Sequence, residues 1–258
     1  MDTETFLEEI REKGWIHFPQ CVDPSMVKEL HKGLYAAYDL CRSVQLKNGV
    51  DVNTDGTVHH LLGQQPVFLQ FIKGLHLHDY IKAYFGAPYI LNSFGGVINL
   101  PHKASYVCNI HRDIRTWYNI PMMINMLVML DDFTLDNGAT WFLTGSHQKD
   151  EKPSEMVFYE KADRATGKAG DIILFDSLTW HAAGRNTTAN VRRALTLTFS
   201  RPFMKQQLDY SRLIAENEPM ESMAEEVRQV IGYNARVPAS LDEWYQPPAK
   251  RFYKPGQG

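Results

Sequence analysis

Residues 192–200 sort by chemistry with a period of two. Arg192, Ala194, Thr196 and Thr198 fall on one side, and Arg193, Leu195, Leu197 and Phe199 on the other. Successive side chains of a strand point to opposite faces, so this segment is a strand with one apolar face and one small, polar face. The apolar face fits packing against helices, and the polar face, with its single inward arginine, fits an interior that holds a polar ligand. Further β-type segments rich in branched and long apolar residues occupy 89–94, 96–99, 122–130 and 170–176, with short turn-rich stretches between them. Several strands of this length predict a mainly β sandwich or barrel.

The flanks read differently. Residues 3–13 form a short amphipathic helix, with Phe6, Leu7 and Ile10 on one side and Gly14 past its end. Trp15 to Phe18 reads as a short strand closed by Pro19. Asp23-Pro24 is a helix start, a capping carboxylate before a proline in the first turn, and Met26, Leu30, Leu34, Ala37 and Cys41 follow at helical spacing. Residues 43–65 turn to Asn, Asp, Gly and Thr and predict a long loop of the kind that forms lids and binding loops. A helix is expected over 67–85, ended by Gly86, and another over 220–231. The expected organisation is a single domain over 1–258: a helical part at 1–88, a β core at 89–204 and a helical extension at 205–258.

The β core carries the chemistry. His111 and Asp113 stand one residue apart, and His181 lies 68 positions beyond Asp113. Two histidines and a carboxylate on one face of a metal leave open positions, as in non-haem Fe(II) oxygenases. Treated as a strand, 107–111 puts Val107, Asn109 and His111 on one side, so Asn109 is expected to face the same cavity as the metal. Arg192 follows His181 by eleven positions. Because 184–190 is turn-like, its strand is expected to run back antiparallel beside the histidine. A dicarboxylate chelating the metal at one end needs a cation at the other, and the planar fork of arginine suits a carboxylate.

In this order of motifs the chain resembles the phytanoyl-CoA dioxygenase family of Fe(II)- and 2-oxoglutarate-dependent oxygenases. The matching residues are His111-Arg112-Asp113, Leu130-Asp131-Asp132 through Asn137-Gly138 to Thr144-Gly145-Ser146-His147, then His181-Ala182-Ala183-Gly184-Arg185-Asn186 and Arg192. Where the family has Pro-Gly-Ser-His, the first residue here is Thr144. The resemblance implies a double-stranded β-helix, the jelly-roll core also found in cupins. It implies that His111, Asp113 and His181 ligate Fe(II) as the catalytic centre, with O2 and 2-oxoglutarate as co-substrates and Arg192 on the distal carboxylate. Thr116 and Trp117 stand at the offsets of the ectoine hydroxylase branch and, with Asn99, are expected among the co-substrate contacts. The kept carboxylate argues against halogenation and leaves hydroxylation, desaturation or ring closure open.

Asn109 and Arg115 are the expected substrate contacts, for a polar small molecule with a carboxylate or phosphate. Arg115, like Arg112, has the alternative of pairing with Asp131, Asp132 or Asp136. His147 reads as part of a turn, Trp141 and Trp180 as packing aromatics, and Arg193 as an outer-face side chain. His59 and His60 read as surface or packing residues, at most one facing a site. A net charge of −3, with both signs mixed along the chain, argues against nucleic-acid or membrane-surface binding. The acidic N-terminus lacks an apolar segment of signal type, and Cys21, Cys41 and Cys108 are unpaired in spacing, so a cytoplasmic protein is expected, as monomer or homodimer. Two rival functions share these residues: a cupin-like metal enzyme that does not use 2-oxoglutarate, and a non-catalytic sensor of iron or a metabolite.

Overall fold

Asp2 and Asp23 begin the first two helices, each accepting a backbone N–H of the first turn, from Thr5 and from Ser25. The helices are α1 (Thr3–Lys13) and α2 (Pro24–Lys47), with strand β1 (Trp15–Phe18) between them. This computed structural model describes every residue except 51, 53, 217 and 258. The expected loop over 43–65 therefore falls partly outside the described residues. Its first part instead prolongs α2, and its end holds a short strand, β2 (Thr57–Val58). The helix expected over 67–85 is two, α3 (Pro66–Lys73) and α4 (His78–Phe85), divided where Leu75 and Leu77 take left-handed backbone angles.

The next strands are β3 (Ile90–Asn99), β4 (Met123–Met129), β5 (Thr140–Phe142), β6 (Asp163–Ala165), β7 (Ile172–Asp176), β8 (His181–Ala182) and β9 (Arg192–Ser200), with helix α5 (Glu155–Lys161) before β6. They form two antiparallel sheets, one of six strands in the order β1-β7-β4-β9-β3-β2 and one of three in the order β6-β5-β8. The two strands expected over 89–94 and 96–99 are one, β3. A register shift between Leu91 and Ser93 reverses its parity, so Leu91 and Phe94 both reach the helix side. The region expected to be helical over 220–231 is a 3-10 turn at Met220–Ser222 followed by α7 (Glu225–Val230), after α6 (Tyr210–Ala215).

Alternation along the six-stranded sheet fixes the layers. Ile124, Met126 and Val128 of β4, Ile172 and Leu174 of β7, and Leu195, Leu197 and Phe199 of β9 join Phe6, Leu30, Leu34 and Phe68 of the helices in one apolar cluster. The other face supplies Leu127, Met129, Ile173, Phe175 and Ala194, which pack with Phe133 and Phe142 in a second cluster between the sheets. The two-sided reading of 192–200 is borne out: its apolar residues pack on the helices, while Arg192, Ala194, Thr196 and Thr198 line a cavity. No helix is long and apolar enough to cross a membrane among the described residues.

Candidate metal and co-substrate site

His181 heads β8, and an isolated bridge joins it to His111: each donates its backbone N–H to the other's carbonyl, at 3.0 and 2.9 Å. Asp113 is held next to them by its own N–H on the Ser177 carbonyl at 3.0 Å. The three side chains converge, with donor atoms all within 4.8 Å of one another. The Nε2 atoms of His111 and His181 lie 3.6 and 3.8 Å from the Asp113 carboxylate. Both imidazoles donate Nδ1–H to a carbonyl two residues back, that of Asn109 at 2.7 Å and that of Thr179 at 2.9 Å. That contact fixes the tautomer and leaves each Nε2 lone pair free, the usual outer support of a metal-bound histidine. His181 is buried against Phe142 and Phe175, and burial together with the neighbouring His111 pushes its pKa down to about 4. Its ring is therefore neutral and able to ligate at physiological pH. Two imidazole nitrogens and one carboxylate, with space beside them, fit a divalent transition metal with open positions.

The same cavity, about 280 Å³, carries Arg192 on its wall. Arg192 is 2% exposed. One guanidinium nitrogen donates to the Gly138 carbonyl at 2.8 Å and the group lies over the Phe133 ring, but Nε has no partner. Burial lowers its pKa to about 10, so it stays cationic. A buried cation with an unpaired N–H beside a cavity is a seat for a carboxylate. The path to that seat differs from the sequence expectation. β8 and β9 do not pair: β8 lies beside β5 in the small sheet, and β9 between β3 and β4 in the large one. Residues between them cross from sheet to sheet instead of turning back, pinned by Asn99 Nδ2 on the Gly184 carbonyl and Asn186 Nδ2 on the Asn99 carbonyl. His181 and Arg192 therefore reach the cavity from opposite sheets.

Other expected contacts lie elsewhere. Asn109 is exposed and off the wall, because Tyr106–Cys108 is a 3-10 turn and strand parity does not apply; its carbonyl, not its side chain, serves the site. Arg115, Thr116 and Trp117 are exposed and do not line the cavity, and Asn99 spends its amide on the crossing loop. Arg112 pairs with Asp150 and lies over Trp180 instead of meeting Asp131, Asp132 or Asp136. Asp131 instead binds Arg193, so that arginine is paired. His147 does belong to a turn, with Nε2 on the Arg11 carbonyl at 2.9 Å.

Sequence reasoning missed several wall residues. Asn125 Nδ2 donates a short bond to the Asp113 carboxylate while its buried Oδ1 lacks a partner. Its place, among apolar residues of a predicted strand, was the available signal. His59 and His60 both line the cavity, where at most one was expected to face a site, although His59 is exposed as expected; Tyr106, Thr140 and Gln207 join them.

The sequence model of the phytanoyl-CoA dioxygenase family matches residues 10–194, and the chain belongs to that family. An uncharacterized protein of Mycobacterium tuberculosis is 44% identical over 135 residues, 52% of this chain and 49% of that protein, so the matched part spans about half of that relative's length. Dioxygenase cdmA of Talaromyces verruculosus is 25% identical over 91% of this chain and 84% of its own. Among solved structures, the non-heme alpha ketoglutarate dependent carbocyclase SnoK from nogalamycin biosynthesis superposes with a TM-score of 0.60 at 18% identity, covering 85% of this chain and 94% of that one. This last likeness is one of fold.

Proposed function

We propose that the protein is an Fe(II)- and 2-oxoglutarate-dependent dioxygenase acting on a small molecule, with hydroxylation of an unactivated C–H bond as its reaction. The observation that carries this reading is the pairing, within one cavity, of three convergent metal donors with a buried arginine whose Nε is unpartnered. Family membership and relatives named as dioxygenases agree with it. His111, Asp113 and His181 would hold Fe(II), and Arg192 would hold the distal carboxylate of 2-oxoglutarate. The bound metal and co-substrate supply oxygen activation, with succinate and CO2 as co-products. The chain's own part is to fix both imidazole tautomers, orient the carboxylate through Asn125, and keep water from the buried side of the site with Phe142 and Phe175.

We take the two facing sheets as the double-stranded β-helix of the family and residues 1–258 as one domain, since a single apolar cluster joins Phe6 of α1 with Ile231 after α7. The three free cysteines suit a reducing, cytoplasmic setting. Arg192→Ala tests the assignment against a cupin-like enzyme that does without 2-oxoglutarate. It should abolish 2-oxoglutarate consumption, read as succinate formed with Fe(II) and ascorbate, and leave Mn(II) affinity nearly intact. Turnover that survives the substitution overturns the co-substrate assignment. Absence of succinate from the unmodified protein with every candidate metabolite would favour the sensor.

A further inference from the structure

The cavity that holds the three candidate metal donors is also lined by His59 and His60. On the stretch following β2, His60 sits at φ 55°, a left-handed conformation that costs a non-glycine residue energy. Its ring is fixed by a chain of three groups. The Phe94 N–H donates to Tyr210 Oη at 3.0 Å, so the Tyr210 hydroxyl proton is free to donate to His60 Nδ1, 3.1 Å away. Tyr210 is fully buried, so this arrangement does not depend on solvent. A neutral imidazole that accepts at Nδ1 carries its proton on Nε2. That Nε2–H has no protein partner among the described residues, and His60 lines the cavity.

Its surroundings are polar but uncharged. The hydroxyls of Ser93, Thr196 and Thr198 and the amide of Gln207 line the same cavity, and none of these side chains bonds to another described residue. Beside them His59 Nε2 lies 3.1 Å from Tyr106 Oη. No lysine, and no arginine other than Arg192, lines the cavity among the described residues. Burial holds both His59 and His60 below the usual histidine pKa, with the charge of His60 adding to the effect on His59. A charged carboxylate or phosphate would meet no side-chain cation here once Arg192 is engaged, and desolvating it without one is costly.

We propose that His60, oriented by Tyr210, donates Nε2–H to an uncharged oxygen, a hydroxyl or carbonyl, of the primary substrate. The site thus selects neutral oxygenated molecules over anionic ones. This replaces the carboxylate- or phosphate-bearing substrate expected from Asn109 and nearby arginines; Asn109 and Arg115 are exposed and outside the cavity. The inference rests on the co-substrate assignment above, because it needs Arg192 to be occupied.

The test uses the full chain loaded with Zn(II) and 2-oxoglutarate, and ligand-observed NMR with four fragments of one skeleton: cyclohexanol, cyclohexanone, cyclohexanecarboxylate and cyclohexylamine. The alcohol and ketone should bind more tightly than the two ions. His60→Asn, a residue type that tolerates left-handed backbone, should weaken alcohol and ketone by about tenfold, the loss of one good hydrogen bond. Tyr210→Phe keeps the imidazole but frees its tautomer, and should weaken the same two fragments by a smaller factor. Neither variant should change 2-oxoglutarate affinity measured by calorimetry. Equal or tighter binding of the carboxylate, neutral fragments that do not bind, or unchanged affinities in both variants would overturn the proposal. Failure of 2-oxoglutarate itself to bind the unmodified protein would instead remove the assignment beneath it, and the proposal with it.

Discussion

Asn125 shows how a single side chain supports the candidate site without being one of the three residues that could hold a metal. Its Nδ2 binds one oxygen of Asp113, and its Oδ1 is buried and unpaired. A carboxylate held in this way presents its remaining lone pairs in one direction. Replacing such supports typically costs about ten- to a hundredfold in metal affinity. Asn125→Ala should therefore weaken Mn(II) binding within that range, read by calorimetry, while the far-UV spectrum stays that of the unmodified protein. His111, Asp113 and His181, which the fold brings together, could be named from the sequence because a set of family motifs surrounds them in order, although His-x-Asp alone recurs by chance. Asn125 could not, since an asparagine in an apolar strand announces neither its face nor its partner. Asn109 erred in the other direction: the alternation applied to it belongs to strands, and the backbone there is a 3-10 turn.

At the scale of elements, the turn Thr144-Gly145-Ser146-His147 ties the end of α1 to the approach of His181. Ser146 Oγ accepts the Trp180 N–H at 2.9 Å, Gly145 N–H reaches the Lys13 carbonyl at 2.8 Å, and His147 reaches that of Arg11. Thr144, where the family has proline, accepts from Trp15 Nε1 at 2.9 Å and donates to Asp163 at 2.6 Å, joining β1 to β6. Ser146→Ala leaves the Trp180 N–H buried without an acceptor, which costs about 1–3 kcal/mol. The urea midpoint of the metal-free protein should fall accordingly, with the slope of the transition unchanged. Helix starts and strand faces were legible because caps and alternation are local. The split of 67–85 into α3 and α4 was not, because it depends on two leucines adopting left-handed angles that no local signal requires. Nor was the crossing from β8 to β9, since a turn-like composition does not say which sheet the next strand joins.

For the whole molecule, the histidines set the response to acid. Burial lowers the pKa of His59, His60, His76 and His78 below the usual 6.5. In the unfolded chain these groups take up protons near that value, whereas in the folded protein they resist until lower pH. Their contribution to stability is therefore complete above 6.5 and is lost as pH falls through it toward the folded values. The metal-free protein should unfold at lower urea at about pH 5.5 than at about pH 7.5, well before carboxylate protonation contributes. A midpoint that is flat across that window would show that these rings are not held neutral by the fold. The overall architecture was read with more success than its connections: helices flanking a β core follow from composition and period, whereas the pairing of strands depends on contacts far apart in the chain.

The backbone bridge between His111 and His181 has a further consequence. Those two residues are joined by their own peptide groups, and their rings are aimed by carbonyls of the same chain. The separation of the two rings is thereby a property of backbone pairing, so a slip of one register position between the two segments would misplace both at once.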